Sequence, residues 1–224
     1  MATLNLQVGA NADDICVYWT GSAWVIESGF FGNLTAGFYG TSWAKIGSGI
    51  RFQNVTIPPG STITQALLTL TSAANVNGGT LSKCIIRGDK EANCAAFSTL
   101  ADYQARRGTV VGGADNSKLT SASVGPITMQ AQTTDATLGP IQTQELKAII
   151  QEIINLSGWA SGNALALFWD DHDDNSSHIS NYRRSVYQYE SSASKAAKLA
   201  ITYTLPPGGA QDVQSKALLQ AVLI

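Results

Sequence analysis

A chain of 224 residues is short for two ordinary domains and long enough for one all-β sandwich or barrel with a substantial core. Only 13% of the residues are charged, so its polarity rests on hydroxyls and amides, and fourteen basic against sixteen acidic side chains lack the cationic excess that a nucleic-acid backbone demands. No apolar run approaches the ~20 residues of a membrane-spanning helix, so neither a nucleic acid nor a bilayer is the expected partner.

The chain opens Met1-Ala2-Thr3-Leu4-Asn5-Leu6-Gln7-Val8, which alternates like a strand. It lacks the basic start, apolar stretch and small-residue cleavage site of a secretory leader, so synthesis in a cytosol is expected, followed by retention there or exit by lysis or a dedicated assembly route. Further alternation follows at Ile15/Val17/Trp19, and Thr20-Gly21-Ser22 before Trp24 reads as a hairpin turn. Ile50/Phe52 precede the punctuation Ile57-Pro58-Pro59-Gly60, after which Ala66, Leu68 and Leu70 share one face. Val76-Asn77-Gly78-Gly79 carries the positive-φ residues of a second hairpin turn. The cysteines, Cys16, Cys84 and Cys94, cannot all pair within one chain and show no C-x-x-C spacing, so they read as reduced, buried thiols.

Beyond Ile127/Met129/Ala131 the period changes. Leu146, Ile149, Ile150, Ile153 and Ile154 recur at helical spacing, which predicts one amphipathic helix over about residues 144–156, capped by Thr143, ended near Gly158 and lying across a sheet edge. A continuous apolar run from Ala164 to Trp169 and an alternating strand through Leu199/Ile201/Tyr203 follow. Together these elements predict an all-β antiparallel sandwich or barrel over residues 1–205. Pro206-Pro207-Gly208-Gly209 then separates an arm at 206–224 whose Leu218, Leu219, Val222, Leu223 and Ile224 are suited to docking on a partner.

Chemistry-bearing residues concentrate in Asp170-Asp171-His172-Asp173-Asp174-Asn175-Ser176-Ser177-His178. Asp171, Asp173 and Asn175 match the first oxygen positions of a calcium loop, but Ser176 stands where such a loop needs Gly and Tyr182 where it needs Glu. A solvated loop tip, with Arg183-Arg184 pairing to the aspartates, is the preferred reading; calcium remains the candidate cofactor. No Gly-x-Ser-x-Gly elbow, His-Glu-x-x-His or phosphate loop is present, so no catalytic residue is assigned and the chain reads as a non-enzyme. Trp159, Trp169 and Tyr182 are the aromatic candidates for stacking on a sugar ring.

Two stretches, Arg51-Phe52-Gln53-Asn54-Val55-Thr56-Ile57-Pro58-Pro59-Gly60 with its following Ala-Leu-Leu-Thr-Leu strand, and Gly158-Trp159-Ala160-Ser161-Gly162-Asn163, resemble the signature of the DNRLRE or disaggregatase-related jelly rolls. The resemblance spans about residues 45 to 205. It implies an all-β, jelly-roll-like antiparallel β-sandwich of a kind found in carbohydrate-binding modules and in phage proteins. The expected function is that of a structural protein of a phage particle, made in the host cytoplasm and located on the virion. It would decorate or link the capsid or tail through contacts with other virion proteins and copies of itself. The alternative is a carbohydrate-binding module recognising a surface polysaccharide.

Overall fold

The computed structural model describes residues 1–27, 33–40, 43–74, 82–110, 113–129, 131, 133–137 and 145–207. Its elements in chain order are β1 (Ala2–Gln7), β2 (Asp14–Trp19), β3 (Trp24–Ile26), β4 (Leu34–Phe38), β5 (Ala44–Phe52), β6 (Thr62–Thr69), β7 (Ser82–Asp89), α1 (Leu100–Arg107), β8 (Thr109–Val110), β9 (Gly113–Ala114), β10 (Leu119–Met129), α2 (Lys147–Ile154), β11 (Leu165–Asp170), β12 (Tyr182–Val186) and β13 (Lys198–Thr204). The result is the expected all-β sandwich of antiparallel sheets.

The larger sheet runs β10-β7-β11-β5-β2-β3, and the smaller runs β1-β13-β6. The β4–β12 pair joins the larger sheet where Gly37 of β4 stands opposite Ile46 of β5, and just beyond β6 the backbones of Thr71 and Ala73 bond to Tyr187 and Ser185 of the β12 segment. Between the layers lies the main core, in which Ala66, Leu68, Leu199 and Ile201 of the smaller sheet meet Ile50, Phe52, Ile86, Leu167 and Trp169 of the larger. Thr20-Gly21-Ser22 forms the predicted hairpin, with Trp19 opposite Trp24 and Gly21 at φ +94. The turn expected at 76–79 lies outside the described residues, and the strands on either side, β6 and β7, are not partners but belong to different sheets.

Helix α2 buries Ile149, Ile150, Ile153 and Ile154 against this core, as the spacing predicts. It starts later than expected, with Leu146 at its N-cap and no side-chain cap, and Thr143 lies outside the described residues. Its polar face closes the side of the sandwich. Gln151 accepts from the Ile63 amide and Glu145 from the Ala66 amide, both on the edge of β6, while Glu152 accepts from the Ser121 and Ala122 amides on the edge of β10.

The sequence predicts one helix and the structure holds a second, α1. Thr99 accepts from the Asp102 amide, Asp102 accepts in return from the Ser98 amide and the Thr99 hydroxyl, and Gly108 ends the helix at φ +70. Together with the 94–97 segment, α1 covers the outer face of the larger sheet and makes a second core from Ile15, Val17, Trp24, Cys94, Phe97, Tyr103, Ala166 and Phe168. This explains the apolar run before Asp170: β11 is buried on both faces, with Leu165, Leu167 and Trp169 turned inward and Ala166 and Phe168 turned outward. The 94–97 segment can pack this closely on β5 because residue 49 is glycine: a Cβ there would stand 2.6 Å from the Phe97 ring.

All three cysteines are free and buried, as expected. Burial pushes the Cys16 thiol up to about 12 and the Cys94 thiol up to about 11, and raises Cys84 as well, which makes them poor nucleophiles.

Candidate functional site

The acidic and histidine-rich segment that follows β11 is not a solvated tip. Asp170, Asp171, His172 and Ser176 are buried, because the segment turns under α1 and against β5. Arg107, in the last turn of α1 and fully buried, grips Asp170 with a two-pronged contact: Nε donates to Oδ2 at 2.5 Å and Nη2 to Oδ1 at 2.9 Å. Burial alone would raise the Asp170 carboxyl, but the guanidinium overrides it and holds the group at about 2. Asp170 Oδ1 also accepts from the His172 amide.

His172 is held at both ring nitrogens. Nδ1 donates to the Lys45 carbonyl at 2.5 Å, and since that oxygen can only accept, Nε2 of the neutral ring accepts the hydrogen bond that the Tyr103 hydroxyl donates at 2.7 Å. The Trp24 ring packs edge-on against the imidazole at 4.5 Å. Gly47 makes the approach possible, because a Cβ there would lie 2.1 Å from Asp170 Cβ and 2.9 Å from the imidazole Cε1. Burial drives His172 down to about 4, so it is a neutral ring at physiological pH.

Asp173 and Asp174 face outward and are also paired. Arg87 reaches Asp173 at 2.7 Å, Lys45 approaches Asp174 at 3.8 Å, and His178 meets Asp174 at 2.6 Å while stacking on Phe38 at 4.7 Å. The cations on the aspartates are therefore Arg87, Arg107 and Lys45, not Arg183 and Arg184. Arg184 is instead buried with Nη2 on the Met129 carbonyl, and Arg183 bonds Ser185.

The three calcium candidates do not converge. Asp171 is turned inward, where its carboxylate accepts from the Asn175 and Ser176 amides, and Asp173 is committed to Arg87. Among the described residues no group of three or more His, Cys, Asp or Glu is placed to hold a metal ion. The sugar-stacking candidates are likewise dispersed. Trp169 is fully buried with its indole N–H on Cys84 Sγ, Trp159 is buried with its N–H on the Ile57 carbonyl, and only Tyr182 is partly exposed. Two buried indoles cannot stack on a ring in solvent. The docking residues Leu218, Leu219, Val222, Leu223 and Ile224 lie outside the described residues.

Sequence reasoning missed Arg107 and Tyr103, the residues that organise the segment from α1. The signal was Thr99 followed by Asp102, with Gly108 closing the helix six residues further on.

The clasp formed by Arg107 and Tyr103 of α1 on Asp170 and His172 has a pH signature. A histidine whose folded value lies below its ordinary 6.5 stabilises the fold fully above pH 6.5 and progressively less as pH falls toward 4. Burial raises Asp14 and Asp171 to about 7, and their contributions run the other way, being full below about 3.8 and lost as pH rises through 7. Comparison of the wild type with His172→Gln separates the two. Between pH 6.5 and 4 the wild type should lose about 3 kcal/mol relative to the variant, measured as urea unfolding free energies at each pH. Parallel curves would mean that His172 keeps its ordinary pKa in the folded state.

No protein-family model matches the chain, and no curated protein sequence matches it.

Proposed function

We propose that the protein is a non-enzymatic structural component of a phage particle, decorating or linking the capsid or tail through contacts with other virion proteins and copies of itself. The observation that carries the non-catalytic part is the clasp: its imidazole, guanidinium and buried carboxylates are each spent on a fixed protein partner. A general base must reach a substrate proton, and a buried imidazole engaged at both nitrogens reaches none. The virion part is supported by the low charge, by the jelly-roll resemblance, and by the apolar segment Ala217 to Ile224 that follows the sandwich. On this reading the protein bands with purified particles in a density gradient at fixed stoichiometry. Removal of Ala210 to Ile224 abolishes incorporation while leaving the unfolding midpoint of the sandwich unchanged. Incorporation at wild-type levels after that removal would overturn the reading.

A carbohydrate-binding role is the second reading, and a specific cluster favours it. Tyr18 and Trp43 stack at 4.7 Å, Tyr39 lies 5.9 Å from Trp43, and Arg183 sits 5.0 Å over Tyr39, all partly exposed. Retention on a polysaccharide column that Trp43→Ala abolishes would favour it over the virion role.

A further inference from the structure

Among the described residues, the long sheet edges of this fold are guarded, with one exception. The edge of β6 is covered by Gln151, Glu145 and the Leu146 amide of the α2 region. The edge of β10 is covered by Glu152 and interrupted by register shifts and by Pro126. β12 is bonded beyond β4 by the 71–73 segment, and β3 is only three residues long. Such guards are how sheets avoid pairing with other chains. Strand β1 has none: among the described residues it pairs with β13 alone.

The register tells which groups face away. The Val8 amide donates to the Ala197 carbonyl, so in the antiparallel alternation Ala2, Leu4 and Leu6 bond to β13, and the backbone N–H and C=O of Thr3, Asn5 and Gln7 point outward. The strand carries no charge and no proline. Leu4 and Leu6 are only partly buried against the main core, which is therefore open along this edge.

We propose that β1 is a self-pairing edge, which joins two copies of the chain antiparallel about Asn5 into one continuous six-stranded sheet. The sequence is self-complementary in that register. Asn5 meets Asn5 of the second copy, Thr3 meets Gln7 on the outer face, Leu4 meets Leu6 and Ala2 meets Val8 on the core face. The outward residues pair with outward residues, which gives about six backbone hydrogen bonds. Each half-covered leucine gains an apolar neighbour, and no like charges face each other across the axis. The alternative centred on Leu4 pairs fewer outward groups and places Thr3 opposite Asn5. The contact is isologous and closes at two copies. It is small, so dimerisation is weak and depends on concentration. The inference stands on β1 alone and is independent of the virion reading.

The test uses the full chain. Sedimentation velocity over rising concentration should show a monomer–dimer equilibrium. Asn5→Lys, which sets two like charges on the axis without touching the β13 bonds, should weaken it at least tenfold with the unfolding midpoint unchanged. For a readout that does not need a strong dimer, Asn5→Cys under oxidation should give a disulfide-linked dimer, because hydrogen-bonded partners lie about 5.5 Å apart at Cα. Thr3→Cys, separated from its own mate by roughly four residues of strand, about 13 Å, should not. A wild type that stays monomeric while Asn5→Cys fails to cross-link overturns the proposal. So does equal cross-linking of both cysteine variants, or a dimer that survives Asn5→Lys.

Discussion

Arg107→Ala is expected to cost about 3–5 kcal/mol of unfolding free energy at neutral pH, the loss that follows when one member of a buried ion pair is removed and the other is left behind. The abandoned group is Asp170, which is buried between β5 and α1 and meets the guanidinium at two oxygens. Without Arg107 its carboxyl no longer has the charge that holds it near 2 and would move above its ordinary value. The sign of the pH dependence then reverses. In the wild type Asp170 contributes stability above about pH 3.8 that is lost as pH falls toward 2, whereas in the variant its contribution is present at low pH and lost as pH rises. Replacing both partners with apolar residues, Arg107→Met with Asp170→Leu, should recover much of the loss, since no charge is then stranded. Urea titrations of the three proteins at pH 4 and pH 7 provide the check. A loss below about 1 kcal/mol for Arg107→Ala, the range of a surface pair, would mean that water reaches Asp170.

That pair also shows where sequence reasoning stops. Period-two alternation located the strands at Leu4/Leu6, Ala66/Leu68 and Leu199/Ile201 because each has one face on the main core and one on solvent, the condition under which alternation is informative. It also found α2, whose isoleucines repeat at helical spacing. The outer core was not visible as a layer. Ile15, Val17 and Trp19 alternate as well as any strand, yet they face away from the sandwich toward α1, and nothing in a two-residue period says which side is the core. Helix α1 buries little beyond Tyr103 and Arg107, so it left no apolar stripe to read. With α1 unseen, the aspartates after β11 had no visible cation to turn toward. A run of four acids in five residues then looks like a solvated tip or a calcium loop. Their actual partner, Arg107, lies 63 residues upstream, and a pairing at that separation leaves no local spacing.

Trp169→Ala should destabilise by about 3–5 kcal/mol, the range for deleting a large aromatic side chain from a packed core. The indole is fully buried near the C-terminal end of β11, between Ile86 of β7 and Ser48 of β5 in register, and its N–H lies 2.8 Å from Cys84 Sγ. The neighbouring strands are pinned on both sides, which limits collapse into the cavity and favours the upper part of the range. Trp169→Phe keeps an aromatic ring and gives up the N–H contact and part of the volume, so a smaller loss, about 1–2 kcal/mol, is expected. The pair of variants decides between the two roles a tryptophan could have here. A platform for sugar rings stands in solvent, and its removal leaves the unfolding midpoint almost unchanged, within about 0.5 kcal/mol, while abolishing binding. A core tryptophan does the reverse. Equilibrium unfolding of both variants, followed by circular dichroism so that loss of the indole does not remove the signal, distinguishes them. An unchanged midpoint for Trp169→Ala would return this residue to the set of ligand-stacking aromatics and would require β11 to be exposed on its inner face.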